Sequence, residues 1–73
     1  MTKAAARRER KARQEAAGQE LRELLDGLSS AYSTFNHTLD PELLEASILE
    51  IRALQSRYSS ALRNIKLLYQ EAL

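Results

Sequence analysis

The sequence predicts an all-α fold, an antiparallel two-helix hairpin that dimerises into a four-helix bundle. Apolar residues recur at spacings of three and four along two segments, which places them on one face of each helix. Asp40 and Pro41 separate these segments and form a helix-start signal. With 73 residues and no cysteine, the chain has little apolar surface to bury alone and no disulfide to stabilise it. These observations together favour a helical protein that needs a partner.

Residues 1–17 form a basic arm, which we predict to be a flexible or frayed helix. Its residue types favour a helix, but its apolar side chains from residue 3 onward are all alanines, so it has little to bury. The arm carries a formal charge of +4 and residues 18–73 carry −3. Gly18 marks the predicted boundary, because glycine costs about 1 kcal/mol relative to alanine inside a helix. The basic residues of the arm are Lys3, Arg7, Arg8, Arg10, Lys11 and Arg13.

The hairpin occupies residues 18–73. Its first helix is predicted over residues 19–36 and is followed by a turn at 37–40. Its apolar stripe consists of Leu21, Leu24, Leu25, Leu28, Ala31, Tyr32 and Phe35. His37 is the only histidine and lies among residue types that bond to local backbone at helix ends. We therefore expect no metal site or catalytic site at the turn.

The second helix is predicted over residues 41–71, because no glycine or proline follows Pro41. We expect Asp40 to cap it and Leu39 to pack on Leu44 as a hydrophobic staple. Gln55 lies within the stripe and either sets the register as a buried polar group or reaches the edge with its amide. The stripe consists of Leu44, Ile48, Ile51, Tyr58, Leu62, Ile65 and Tyr69, and we expect all three seam tyrosines to bury their rings, namely Tyr32, Tyr58 and Tyr69.

Antiparallel packing around the turn predicts Phe35 opposite Leu44 and Lys11 opposite Leu68. The basic arm would then cover the end of the second helix poorly, and the apolar surface of that helix is wider than one partner can bury. We therefore predict a homodimer with coiled-coil-like packing, with a hetero-bundle containing another protein as the alternative. The predicted dimer or partner interface comprises Leu54, Tyr58, Ala61, Leu62, Ile65, Leu68 and Tyr69.

The chain lacks the residue groupings of an enzyme. Its serines have no activating histidine or lysine nearby in a known motif, and its two glycines form no phosphate-binding loop. We expect no catalytic residue, cofactor, metal or small-molecule substrate. No apolar run is long enough for a signal peptide or a membrane span, which predicts a cytoplasmic protein that does not enter membranes.

Two functions therefore stand as hypotheses. The first is a protein–protein interaction or scaffold module that recruits an unknown protein partner. The second is an accessory, non-specific nucleic-acid-binding protein, in which the six basic residues of the arm neutralise phosphates. A basic arm can also act as a solubilising tail.

Several residue groups are similar to a known pattern: Phe35 before the turn, Asp40-Pro41-Glu42-Leu43, Ile48 with Ile51 and Ala53, Arg57-Tyr58, and Leu62-Arg63 to Lys66. Through them, residues 21–68 resemble the YaaL-like family of small Firmicute proteins, whose function is unknown. The resemblance implies a small cytoplasmic bacterial helical protein, with no established catalytic residue, cofactor or substrate. Members of that family are often encoded beside a recombination mediator, which favours a role near DNA. The basic arm lies outside the resemblance.

Overall fold

Two long α-helices form a hairpin in the computed structural model, which describes residues 2–71. Helix α1 spans Lys3–His37 and helix α2 spans Pro41–Glu71, joined by residues 38–40. The helices pack along each other into a rod of 57 × 15 × 14 Å. The predicted all-helical hairpin is confirmed, whereas its dimerisation stays a prediction. Within residues 2–71, neither helix holds an apolar stretch long enough to cross a bilayer.

Helix α1 is continuous through Gly18, so the predicted helix start at Gln19 is wrong. The helix begins at Lys3, where the Thr2 side chain caps it by accepting a hydrogen bond from the Ala5 N–H at 3.0 Å. The propensity cost of Gly18 is outweighed because Ala17, immediately before it, is buried at the helix interface. The arm is therefore part of α1, and its flexibility or fraying stays a prediction.

The start of α2 follows the capping chemistry expected of its sequence. Asp40 Oδ1 accepts a hydrogen bond from the Glu42 N–H at 3.0 Å, which confirms Asp40 as the cap. The predicted hydrophobic staple is wrong, since Leu39 is 99% exposed. Thr38 is extended (φ −92°, ψ 144°) and leads the chain off the end of α1, so Leu39 projects from the tip of the hairpin.

The core between the helices alternates small and large side chains. On α1 the buried positions recur every seven residues at Ala17, Leu24 and Ala31. On α2 they are Ser47, Ile51 and Ala61, and the Ser47 hydroxyl is satisfied by donating to the Leu43 carbonyl at 2.8 Å. Alanine and serine at these positions leave little side-chain bulk between the helices, which permits close packing of their backbones.

The helices are antiparallel, as predicted, and a hydrogen bond joins them at the open end. The Gln14 amide donates to the Leu68 carbonyl at 3.4 Å, where Lys11 is the predicted neighbour. Closer to the middle, a Cβ atom on Gly27 would lie 3.4 Å from Leu54 Cδ1, so the helices are close there. Gln14 and Ala17 therefore lie near the last turns of α2.

Candidate interaction surfaces

Most of the predicted interface residues pack inside the hairpin. Ala61 is buried, and five others are half-buried at the contact with α1: Leu54, Tyr58, Leu62, Ile65 and Leu68. Only Tyr69 is largely exposed, at 55%. The basic arm covers this part of α2 only in part, since Gln14 donates to the Leu68 carbonyl while Tyr69 stays exposed. A contact between these residues and a second chain stays a prediction.

An exposed row of apolar side chains nonetheless follows one side of the hairpin. Leu25 and Tyr32 lie seven residues apart on α1, and each is more than two-fifths exposed. A seven-residue repeat spans two helical turns and therefore keeps these side chains on one side of the helix. A matching row with the same repeat runs along α2. We name the two rows together the lateral strip, which comprises Leu25, Tyr32, Ile48, Gln55, Leu62 and Tyr69.

A hydrogen bond joins the two rows of the lateral strip. The Gln55 amide donates to the Tyr32 hydroxyl at 3.0 Å, and both residues are exposed. The interpretation that Gln55 reaches the edge of the seam is thereby confirmed.

The prediction that all three tyrosines bury their rings is wrong for two of them. Tyr58 is half-buried, but Tyr32 is 43% exposed and Tyr69 is more exposed still. Both exposed tyrosines lie next to a more buried position of their own helix, Ala31 on α1 and Leu68 on α2, and therefore at the edge of the packed face.

Gly18 and Tyr69 form the walls of an open cleft at the basic end of the lateral strip. Its other lining residues are Lys11, Gln14, Glu15 and Arg22. A Cβ atom on Gly18 would lie 3.7 Å from Arg22 Nη1, so the glycine leaves room beside the Arg22 guanidinium. The cleft therefore combines an aromatic wall with two cationic side chains and one carboxylate. The sequence reasoning missed it, although the spacing of Gly18, Leu25 and Tyr32 carries the signal.

The fold separates the charges of the chain by sign along its length. All eleven Lys and Arg residues lie in residues 3–22 and 52–66, whereas residues 23–51 hold six acidic residues and no basic one. Because the helices are antiparallel, the two basic segments lie side by side at the open end. That end holds four acidic residues, which leaves formal charges of +7 there and −6 at the turn end. The division into arm and body missed this, because it counted residues 52–66 with the acidic body.

The predicted nucleic-acid contacts lie at the open end, on α1. Five are exposed and Arg10 is half-buried; the exposed five are Lys3, Arg7, Arg8, Lys11 and Arg13. Arg13 pairs with Glu9 at 3.4 Å one helical turn away, and an ion pair as exposed as this one contributes little stability. The structure therefore presents most of the arm's cations to solvent.

The turn holds no arrangement suited to metal binding. His37 Nδ1 lies 2.7 Å from the Ser33 carbonyl, and since a carbonyl only accepts, Nδ1 carries the proton and donates to local backbone. Over residues 2–71, no three His, Cys, Asp or Glu side chains come together as a metal site would require. No protein-family model, curated protein or solved structure matches the chain. The surfaces of the hairpin are therefore the features that indicate a function.

Proposed function

We propose that this chain is a non-enzymatic interaction module that self-associates through its lateral strip into a four-helix bundle. The observation that carries the proposal is the exposure of Leu25, Tyr32 and Tyr69 along one side of the rod. A contiguous apolar surface on a small protein is typical of an interaction site. A bundle formed in this way offers its outer faces to a further protein partner.

The thin core of the single hairpin supports the same proposal. Among residues 2–71, no large side chain is completely buried, and even Leu24 and Ile51 keep 9% and 8% of their surface exposed. Full burial of a leucine or an aromatic side chain stabilises a protein by about 1.5–3 kcal/mol relative to its exposed state. Association therefore gives the half-exposed residues of the strip a stabilising contact that one hairpin cannot provide.

Light scattering over a range of concentrations, together with helical content, tests this proposal. The wild-type chain is expected to be a helical dimer. Leu25→Gln, at the centre of the strip, is expected to raise the dimer dissociation constant about tenfold or more, which corresponds to roughly 1.4 kcal/mol. Leu67→Gln is the matched control, because Leu67 is also an exposed leucine but lies outside the strip. A monomer at every concentration, or equal effects of the two substitutions, would contradict the proposal.

Nucleic-acid binding is the second candidate, favoured by the cluster of basic residues at the open end. Each neutralised phosphate makes the affinity fall more steeply as salt rises. The test is binding to duplex DNA at low salt by the combined variant Arg7→Gln, Arg8→Gln and Lys11→Gln, which keeps good helix formers at exposed positions. We expect weaker binding and a shallower salt dependence. Deleting residues 1–17 is less suitable, because it removes the cover that Gln14 and Ala17 give α2.

A cytoplasmic bacterial setting is also proposed, on the basis of the resemblance to the YaaL-like family. The association of that family with a recombination mediator agrees with the nucleic-acid candidate. It does not bear on self-association, which the exposed strip supports independently.

A further inference from the structure

We infer that the second copy packs antiparallel, so that the acidic turn of each hairpin sits in the Gly18–Tyr69 cleft of the other. This inference rests on the proposed self-association and specifies its geometry. The occupant of the lateral strip is a second copy of this chain.

The charge distribution selects the antiparallel direction. In a parallel pair, the two basic open ends would lie together, as would the two acidic turns, and like charges would repel at both ends of the rod. In an antiparallel pair, each basic end meets an acidic turn. Complementary charges of this kind determine the orientation and specificity of a complex more than its affinity.

The positions along the strip allow both turns to dock at once. The cleft lies at Gly18 on α1 and the tip of the hairpin is Leu39, and the point halfway between them in sequence lies between Leu25 and Tyr32. A two-fold axis there places Leu39 of each copy at the cleft of the other and Leu25 of each copy beside Tyr32 of the other. Such an isologous interface uses the same patch on both chains and closes as a dimer.

A small side chain lies on α1 where the two copies must approach most closely. Ser29 is four residues after Leu25 and three before Tyr32, so it adjoins both on the helix surface. Ser29 is exposed, and its small size leaves room for the other hairpin at the proposed axis.

The turn and the cleft are chemically complementary. Leu39 is almost fully exposed and is closely followed by Asp40 and Glu42, so the tip is an apolar side chain with adjacent carboxylates. The cleft offers the Tyr69 ring to the leucine and the cations of Lys11 and Arg22 to the carboxylates. Because Gly18 has no side chain, an inserted leucine has space beside α1.

Disulfide trapping tests the direction, and the natural chain has no cysteine to interfere. Two variants are needed: Leu39→Cys at the turn and Glu15→Cys in the cleft. Glu15 is exposed, and its replacement keeps the cleft basic. Under mild oxidation, the mixed variants are expected to form about tenfold more disulfide-linked dimer than either variant alone, since docking raises the effective concentration of the two thiols. Leu67→Cys mixed with Leu39→Cys measures random collision.

Each outcome decides the inference. Preferential linkage in the Glu15→Cys and Leu39→Cys mixture supports antiparallel docking. Equal or faster linkage of either variant with itself would establish a parallel pair and overturn the inference while leaving the proposed self-association in place. A dimer in light scattering with no excess linkage over the Leu67→Cys control would also overturn it. A protein that is monomeric at every concentration would overturn the proposed function, and this inference with it.

Discussion

Replacing Gly18 with alanine is expected to stabilise the folded protein by about 1 kcal/mol, because glycine costs that much inside a helix. No contact within residues 2–71 of the structure opposes this gain in stability. Gly18 lies within α1 at negative φ, and the added methyl group would meet Arg22 Nη1 at 3.7 Å, an ordinary van der Waals distance. For a domain of this size, about 1 kcal/mol corresponds to a rise in Tm of roughly 4–8 °C.

Urea denaturation followed by circular dichroism measures this free energy. The protein concentration should be low enough for light scattering to report only the monomer. The methyl group also narrows the Gly18–Tyr69 cleft and would therefore affect the proposed dimer as well. Gly27→Ala is the matched control, since both the sequence and the structure place Gly27 inside the helix. Its Cβ would lie 3.4 Å from Leu54 Cδ1, the near end of ordinary contact, so its gain is expected to be smaller.

The comparison separates a continuous α1 from a frayed arm. If residues before Gly18 do not fold cooperatively with α2, alanine at position 18 lies at a frayed helix end and stabilises little. A gain for Gly27→Ala with none for Gly18→Ala would therefore refute the reasoning that packing on α2 carries α1 through Gly18.

Three further substitutions probe the hairpin. Ile51→Ala should lower the free energy of unfolding by about 2–5 kcal/mol because Ile51 is buried, whereas Leu49→Ala at an exposed site should change it by less than about 0.5 kcal/mol in urea titrations. Asp40→Ala should cost about 1 kcal/mol and Asp40→Asn much less, measured by thermal unfolding, because asparagine can still cap; equal losses would contradict the capping role. Tyr32→Phe and Gln55→Ala should couple by no more than about 1 kcal/mol in a double-mutant cycle, because their hydrogen bond is exposed; strong coupling would indicate a buried bond.

The sequence was sufficient for the features that local chemistry determines. Asp40 and Pro41 act within a few residues of themselves, so the start of α2 and its cap follow directly from residue types. The arm shows the opposite case. Its lack of large apolar side chains and the cost of Gly18 predict fraying, but α2 supplies an apolar surface on which small side chains pack. This stabilisation by tertiary packing depends on the register between two distant segments, so it cannot be predicted from the sequence of either segment alone.

Periodicity identifies the apolar side of a helix less finely than the structure does. Leu54 and Gln55 are adjacent in sequence and both fit a spacing of three and four, yet Leu54 is half-buried and Gln55 is exposed. For the same reason, Tyr69 was predicted to lie in the core although it is exposed, and the Gly18–Tyr69 cleft was not predicted. Leu39 is a third example: its position fits a staple, but the extended Thr38 carries it away from Leu44.

The separation of charge along the rod has a thermodynamic consequence. If the acidic turn of one copy and the phosphates of a polyanion both bind the cations around Lys11 and Arg22, the two ligands compete for one site. Linkage is reciprocal, so nucleic acid would dissociate the dimer to the same degree that dimerisation weakens nucleic-acid binding. Protein concentration would then set which activity prevails, with single hairpins on the polyanion in dilute conditions and closed pairs in concentrated ones.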